Sequence, residues 1–207
     1  MNKEDTLQVT QTNLQKSKMG QLEVSRKIYA FNKKQLPFVH FIQKPMVTQG
    51  RAACQPSSCK QFGVQNNPCT LIYTDINRQA WFVESLSTPD ITVIQTTLNR
   101  KSTLLVSVYL DITWIKVVPD SLHRVLRYAE DNRLGILIAA DTNSHSSLFG
   151  PSTNKQGEQI ELFIAKYKVT VENNSHIPTY ESRGAETCID VTPVSYTHLT
   201  LPTTPYV

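Results

Sequence analysis

Long apolar stretches are absent from this sequence of 207 residues. No run approaches the roughly 20 residues that a helix needs to cross a bilayer, and the N-terminus has no hydrophobic signal region. The sequence therefore argues against a membrane-spanning function. We expect a protein that works inside the cell and has no membrane partner.

Cysteine is scarce as well, with four residues in the whole chain. Cys54, Cys59 and Cys69 fall in one polar stretch, and Cys188 lies far from them in sequence. There is no Cys-x-x-Cys pair, and no histidine stands at zinc-finger distance, which argues against a structural zinc site. We expect reduced, unligated thiols. A single bridge, Cys54–Cys59 or Cys59–Cys69, stays open as an alternative if the compartment is oxidising.

Strong charge of either sign is also lacking. Charged residues make up 18% of the chain, hydrophobic residues 40%, and the formal net charge is +4. This balance is ordinary for a globular protein and argues against intrinsic disorder. A mild positive charge allows a polyanionic partner without requiring one, because a nearly neutral protein can carry a local basic face. The length fits one domain with a substantial core.

The most informative stretch that is present is an apolar run at residues 136–140. Its short length and β-branched residues favour a strand buried on both faces over a helix. The run stops at Asp141, and Asn143 and His145 follow in a small, polar segment. Because α/β sheets keep their sites at the carboxyl ends of strands, these three are candidate site residues. In the alternative, Asp141 and Asn143 only form a turn.

The remaining elements are predicted from periodicity. Apolar residues at helical spacing predict three helices, at residues 16–32, 120–132 and 154–168. Alternating or continuous apolar runs predict the other strands, at residues 6–14, 38–42, 70–74, 80–83, 91–98, 103–110, 169–171, 179–180 and 188–191. Residues 46–68 are predicted to be a long polar loop, residues 99–102 a tight hairpin connection, and His40 a core histidine. This order predicts an α/β (α+β) protein with two packed sheets and helices outside them.

Four short segments follow one another in order: Gln11-Thr12-Asn13-Leu14, Ile42-Gln43-Lys44-Pro45, Ala140-Asp141-Thr142-Asn143-Ser144-His145-Ser146, and Pro178-Thr179-Tyr180 followed by Cys188-Ile189-Asp190-Val191-Thr192. Their order and spacing resemble the endonuclease/exonuclease/phosphatase superfamily. Within it, the Asp-x-Asn-x-His-Ser run and the terminal Ile-Asp-Val-Thr are most similar to the apurinic-like endonuclease domain that heads the reverse-transcriptase polyprotein of non-LTR retrotransposons.

The resemblance implies a fold, an activity and partners. The fold would be a four-layer sandwich of two packed mixed β-sheets flanked by helices. The activity would be that of a Mg²⁺-dependent DNA endonuclease acting in the nucleus. It would nick target DNA so that a reverse transcriptase, originally following it in the same polyprotein, can prime on the free 3′ end. DNA is then the expected partner.

The resemblance also implies roles for single residues. Asp141 would activate the attacking water, and Asn143 would position the scissile phosphate on the DNA. Tyr109 would contact the phosphate or the leaving group, and Asn13 would help to hold the metal shell. Asp190 would orient a catalytic histidine through its ring nitrogen.

His145 would add a contact to the phosphate or to DNA. From residue type alone, by contrast, Tyr109 is a core aromatic residue, Asn13 a strand-end cap and Asp190 a turn carboxylate.

The chain departs from the family pattern in two places. Lys44 stands where the family has the glutamate that holds Mg²⁺, and an ammonium removes an oxygen ligand and adds like-charge repulsion. The family closes with a Ser-Asp-His triplet, whereas residues 193–207 here resemble a translated sequencing adaptor. We therefore expect residues 1–192 to form an incomplete domain without its last strands. It would be marginally stable, with an unpaired sheet edge near residues 188–192, and would have little or no nicking activity.

Two alternatives to an endonuclease stay open from the sequence. In one, the chain is a degenerate, non-catalytic fragment that binds nucleic acid weakly through basic residues, for which the candidates are Lys16, Lys18, Lys33, Lys34, Arg100 and Lys101. In the other, it is a phosphoesterase of the same superfamily that acts on a lipid or inositol phosphate. The retroelement-like segments around Asn143 and Asp190 argue against the second alternative.

Overall fold

The computed structural model describes residues 7–53, 56, 58–111, 113, 116–150, 152–172, 180–182, 185–187 and 190–194. The helices of this part of the chain are α1 (Lys18–Lys33), α2 (Asp120–Asp131) and α3 (Lys155–Tyr167), with a short 3₁₀ turn at Glu84–Leu86. None of these helices combines the length and the apolar character that a membrane crossing requires.

The strands, in chain order, are β1 (Gln8–Asn13), β2 (Phe38–Gln43), β3 (Val47–Thr48), β4 (Arg51–Ala52), β5 (Cys59–Phe62), β6 (Thr70–Asp75), β7 (Ala80–Phe82), β8 (Ile91–Leu98), β9 (Lys101–Tyr109), β10 (Gly135–Asp141), β11 (Thr170–Val171), β12 (Tyr180–Ser182), β13 (Ala185–Thr187), β14 (Asp190–Val191) and β15 (Pro193–Val194). They form two main sheets, and β3 with β4 and β12 with β13 form two small hairpins.

The first main sheet has the strand order β1-β2-β6-β5. Its two parallel strands are β1 and β2, and their register places Asn13 opposite Gln43. The pairings of β2 with β6 and of β6 with β5 are antiparallel. The carboxyl ends of β1 and β2 therefore lie side by side at one edge of this sheet.

The second main sheet has the strand order β11-β15-β10-β9-β8-β7, and β14 also pairs with β10. Every residue of β10 is buried, as the apolar run predicts. The parallel pairing of β9 with β10 places Tyr109 opposite Asp141. On the other side of β10, the antiparallel β14 places the backbone of Asp190 opposite Asp141.

The last described residues lie beside β10. β15 pairs with both β10 and β11, so Pro193 and Val194 form part of the second sheet although they follow the predicted boundary at residue 192. Among the described strands, β14 pairs with β10 alone. Residues 195–207 of the predicted tail lie outside the described residues.

Three apolar clusters stack the elements into four layers. Val24 and Ile28 of α1 pack on the first sheet with Phe38 and Tyr73. Between the two sheets lies a second cluster, formed by Val39, Phe41, Ile72, Ile94, Leu98, Leu105, Leu137 and Ala139. The third cluster covers the far face of the second sheet with residues of α2 and α3, among them Val125. The predicted four-layer sandwich is confirmed.

Local sequence sets where the elements begin and turn. The side chain of Ser17 accepts a hydrogen bond from the Gly20 amide and caps α1. Lys16 has a left-handed backbone with φ of 60°, so the helix begins after it rather than at residue 16 as predicted. Asn99 and Arg100, with φ of 47° and 64°, form a two-residue connection between β8 and β9. This connection is shorter than the predicted one at residues 99–102.

The prediction of a continuous loop at residues 46–68 is wrong. This region contains the β3–β4 hairpin and β5, and β5 extends the first sheet by pairing with β6. Its residues Cys59–Phe62 have a mixed sequence that carries little strand signal of its own. The strand forms because the backbone groups along one side of β6 pair with it, and the local sequence does not reveal this partner.

One open alternative is excluded, and one prediction about a single residue is confirmed. Cys59 and Cys69 are not bridged to each other; Cys54 and Cys188 lie outside the described residues. His40 is buried in β2, and its pKa falls to about 3 because burial disfavours the charged ring and Lys27 adds repulsion. His40 is thus a neutral core histidine.

Candidate functional site

The two main sheets end at the same edge of the sandwich, and there they bring together the polar cluster, which we define as Asn13, Lys44, Tyr109, Asp141 and Asn143. Asn13 ends β1 and Lys44 follows β2 in the first sheet, while Tyr109 ends β9 and Asp141 ends β10 in the second. The cluster therefore combines residues that the sequence analysis drew from four separate segments.

Asp141 is the centre of the polar cluster. Its side chain is fully buried, and its Oδ2 accepts a hydrogen bond of 2.5 Å from Asn13 Nδ2. Its Oδ1 accepts a hydrogen bond from the backbone amide of Asn143 at 3.3 Å. Lys44 Nζ lies 3.8 Å from Oδ2. Donors from three segments thus fix the orientation of this carboxylate.

Burial is the main electrostatic influence on Asp141. It raises the pKa of the carboxyl group, whereas the Lys44 charge and the hydrogen bond from the Asn143 amide oppose the rise. The pKa of Tyr109 is also raised by burial and is likewise opposed by Lys44. Lys44 is therefore the common cation that favours the charged form of both groups.

Asn143 is held beside Asp141 by an unusual backbone conformation. Its φ of 46° lies in the left-handed region, which asparagine tolerates better than most residues. Its side-chain Nδ2 donates a hydrogen bond of 2.8 Å to the carbonyl oxygen of Leu110. Turn formation and a place in the site are thus combined in this residue, so the two sequence interpretations are compatible.

The segment after Asn143 is anchored to α3. Glu161 accepts hydrogen bonds from the hydroxyls of Ser146, Ser147 and Thr153, at 2.6, 3.3 and 3.1 Å. His145 is half-buried in this segment, and its backbone amide donates to Asn154 Oδ1 at 3.4 Å. Among the contacts of the described residues, none joins the His145 ring to the polar cluster.

A close approach of backbones completes this anchoring. Gly157, in the first turn of α3, is buried, and a Cβ built on it would overlap the carbonyl oxygen of His145. Asn154 caps α3 by accepting a hydrogen bond of 2.8 Å from the Gly157 amide. The absent side chain lets the helix start directly against the segment that carries His145.

The place of Asp190 is described by its backbone alone. In the register between β10 and β14 it stands opposite Asp141, and its side chain lies outside what the structure describes. Its predicted role in orienting a histidine therefore stays a prediction.

Sequence reasoning missed the residues beneath the cluster. Gln43 is fully buried, and its Nε2 donates to Ser107 Oγ and to the Ala139 carbonyl oxygen, each at 3.1 Å. Ser107 Oγ in turn donates to the Ile42 carbonyl oxygen at 3.1 Å. These bonds join the two sheets. An amide at the end of the largely apolar stretch Phe38–Gln43 was the available signal.

The residues of the cluster do not fit a Mg²⁺ ion. Mg²⁺ takes hard oxygen ligands, but the ammonium of Lys44 lies 3.8 Å from Asp141 Oδ2. Two unit charges of the same sign about 4 Å apart repel by about 4 kcal/mol at an effective dielectric constant of 20, and a divalent ion doubles this. Among the described residues, no group of three or more histidine, cysteine or acidic side chains could hold a metal.

A family described as Endonuclease-reverse transcriptase matches residues 103–204, a range that contains Tyr109, Asp141 and Asn143 and extends beyond residue 192. No curated protein matches this chain.

Solved structures share the fold over most of the chain. The endonuclease domain of TRAS1, a telomere-specific non-LTR retrotransposon, is similar with a TM-score of 0.74 and 21% identity, covering 90% of this chain and 84% of its own. D. rerio TDP2 complexed with single-strand DNA product has a TM-score of 0.55 and 12% identity, and the match covers 91% of this chain and 83% of its own. For an endonuclease/exonuclease/phosphatase family protein from Leptotrichia buccalis, the TM-score is 0.52 and the identity 10%, and the match covers 91% of this chain and 86% of its own. At these identities the likeness establishes the fold alone.

Proposed function

Because this chain has the fold of the endonuclease/exonuclease/phosphatase superfamily, as its short segments predict, we propose that it is a retroelement-type DNA endonuclease domain whose polar cluster binds the DNA phosphodiester. The family description and the TRAS1 likeness support the retroelement lineage. The TDP2 complex supports DNA as the partner. The proposal includes action in the nucleus beside a reverse transcriptase of the same polyprotein.

The observation that carries this proposal is the fixed, buried carboxylate of Asp141. Asn13 and the Asn143 amide orient it at the carboxyl ends of the strands, and burial raises its pKa. A carboxylate with a raised pKa in a site is suited to accept a proton from water. Such groups cluster at functional sites.

Each residue of the cluster takes a proposed part in phosphodiester binding or hydrolysis. Hydrolysis needs a base for the attacking water and donors for the charge that develops on the phosphorane. Asp141 would be the base, Asn143 would position the phosphate, and the Tyr109 hydroxyl would donate a hydrogen bond to a phosphate oxygen. Asn13 would hold Asp141 in place. Its proposed role is therefore in positioning the carboxylate rather than in ligating a metal.

Lys44 makes this site a poor catalyst in the proposal. Its ammonium stabilises the Asp141 anion, which lowers the affinity of that carboxylate for a proton. The same ammonium attracts a phosphate. The domain would therefore bind DNA and nick it slowly or not at all.

The test compares binding with nicking for the wild-type chain and Asp141→Ala. We expect the wild type to bind a labelled DNA duplex, and the logarithm of its association constant should fall linearly with the logarithm of the salt concentration. We expect its nicking of supercoiled plasmid in Mg²⁺ to be no faster than that of the variant. The absence of salt-dependent DNA binding would overturn the proposal. Nicking abolished by Asp141→Ala would uphold the endonuclease and refute only its impairment.

A further inference from the structure

The ammonium of Lys44 lies at the mouth of the polar cluster, between a buried anion and solvent. Lys44 Nζ is 3.8 Å from Asp141 Oδ2 and 4.6 Å from the centroid of the Tyr109 ring. The side chain of Asp141 is 0% exposed, whereas that of Lys44 is 26% exposed. The ammonium therefore lies beside the buried carboxylate on a side chain that is partly open to a ligand from solvent.

The backbone holds Lys44 at this place. Its φ is 48°, and its amide donates a hydrogen bond of 2.8 Å to the Cys69 carbonyl oxygen. Its own carbonyl oxygen accepts a hydrogen bond of 2.8 Å from the Lys16 amide. The turn after β2 is thus joined to the segments after β1 and before β6. Lys44 consequently starts from a fixed Cα, unlike a lysine on a free surface loop.

The carboxylate of Asp141 is already supplied with donors. Asn13 and Lys44 face Oδ2, and the Asn143 amide donates to Oδ1. An ammonium has three protons to donate. The side chain of Lys44 forms an ion pair with Asp141 and a hydrogen bond with Tyr109, so at least one proton remains for a further acceptor. A phosphate oxygen is the acceptor that a lysine ammonium binds best as a point charge.

We propose that Lys44 supplies, as a fixed ammonium, the positive charge that holds a DNA phosphate in the polar cluster, so that binding there requires no divalent cation. The inference rests on the proposed function for the identity of the ligand. The exclusion of a metal ion does not depend on DNA, because the ammonium 3.8 Å from Asp141 Oδ2 would repel a second cation there.

The test uses the full chain and substitutions at two lysines. Lys44→Gln removes the charge, and Lys44→Glu replaces it with a carboxylate next to Asp141. Lys166, which is exposed on α3 and outside the cluster, provides the matched controls Lys166→Gln and Lys166→Glu. Duplex DNA binding is measured by fluorescence anisotropy in EDTA and in Mg²⁺ over a series of salt concentrations. Mn²⁺ binding is measured by calorimetry without DNA, and circular dichroism reports folding.

For the wild type, DNA affinity in EDTA should equal that in Mg²⁺, and Mn²⁺ should not bind. Lys44→Gln should weaken DNA binding in EDTA by about tenfold and reduce the salt slope by about 1, as the loss of one phosphate contact does. Lys44→Glu should gain Mn²⁺ binding. The Lys166 variants should bind DNA with the affinity of the wild type and should not gain Mn²⁺ binding.

Two results would overturn the inference: Mn²⁺ binding by the wild type with DNA affinity that requires a divalent ion, or a Lys44→Gln variant that binds DNA like Lys166→Gln. If Lys44→Glu does not fold, the Lys44→Gln comparison and the EDTA comparison decide the matter. If no protein binds DNA, the proposed function fails. In that case, Mn²⁺ binding by Lys44→Glu but not by the wild type would still show that the ammonium excludes a metal ion.

Discussion

Asn13 Nδ2 and Asp141 Oδ2 are 2.5 Å apart, although the two residues are separated by 128 positions in the sequence. Asn13 ends a strand of the first sheet, and Asp141 ends a strand of the second. Their hydrogen bond therefore spans the interface between the sheets at the edge where the polar cluster lies. The orientation of the carboxylate depends on how the sheets stack, so changes in the core of the sandwich affect the site.

Asp141→Asn is expected to change the pH dependence of stability. Burial raises the pKa of Asp141 above 3.8, so the folded state holds the proton more tightly than the unfolded chain. The resulting stabilisation is present below the unfolded pKa and is lost as the pH rises through the folded pKa. The free energy of unfolding of the wild type, minus that of the variant, should fall as the pH rises from about 3 and then level off. Urea titrations measure this difference.

Asp111→Asn provides the control of opposite sign. The backbone amide and hydroxyl of Thr113 donate hydrogen bonds to Asp111, and these bonds lower its pKa. Its stabilisation is therefore present above the unfolded pKa and is lost as the pH falls through the folded pKa. The same free-energy difference should rise with pH for this residue. Slopes of equal sign at Asp141 and Asp111 would contradict the prediction.

His40→Gln is expected to make the protein more resistant to acid. The folded state keeps His40 neutral, with a pKa of about 3 against an ordinary 6.5. Its stabilisation is fully present above pH 6.5 and is lost as the pH falls towards 3, by about 1.4 kcal/mol for each pH unit. The variant should lack this loss in urea titrations. His123→Gln is the control, and its effect should be smaller because His123 lies on the partly exposed side of α2.

Gln43→Ala is expected to destabilise the protein by about 3 kcal/mol, because it leaves a cavity and removes two buried hydrogen bonds. Ser107 and the Ala139 carbonyl would lose their shared donor. Gln65→Ala, on an exposed loop, should stay within about 0.5 kcal/mol of the wild type. Chemical denaturation measures both values. Equal stability of the two variants would show that Gln43 does not join the sheets.

Glu161→Gln is expected to loosen the segment that carries His145. The neutral amide weakens the hydrogen bonds from Ser146, Ser147 and Thr153, and the charge of Glu161 no longer assists them. Hydrogen exchange of the Ser147 and Leu148 amides should accelerate roughly tenfold, while the core strands stay unchanged. Glu158→Gln, in the first turn of the same helix, is the matched control. Unchanged exchange in Glu161→Gln would refute the anchoring.

Much of the polar cluster could be predicted because strand ends are visible in sequence. Asp141 and Tyr109 come at the ends of largely apolar runs, and Asn13 ends an alternating stretch. The carboxyl ends of parallel strands meet at one edge, so the meeting of these residues follows from the topology. The position of Lys44 could be predicted for the same reason, because it comes immediately after a buried strand.

The parts that sequence reasoning missed depend on contacts between distant segments. Gln43 appears as an ordinary strand end until the second sheet is stacked on the first. Glu161 is one of two acidic residues on an amphipathic helix, and only the folded chain brings the hydroxyls of the preceding segment to it. β5 formed against its local sequence because β6 supplied a partner. In each case the local structure is determined by contacts between segments that are distant in the sequence.

Gly157 limits how the segment that carries His145 can be redesigned, because there is no room for even a single side-chain carbon at position 157. Because a Cβ there would overlap the His145 carbonyl oxygen, each of the other residue types would push the whole segment away from α3. A library intended to alter ligand preference should therefore vary position 145 freely and keep position 157 constant. If position 157 also varied, most variants would differ from the wild type because the backbone is displaced, and the effect of the residue at position 145 could not be separated.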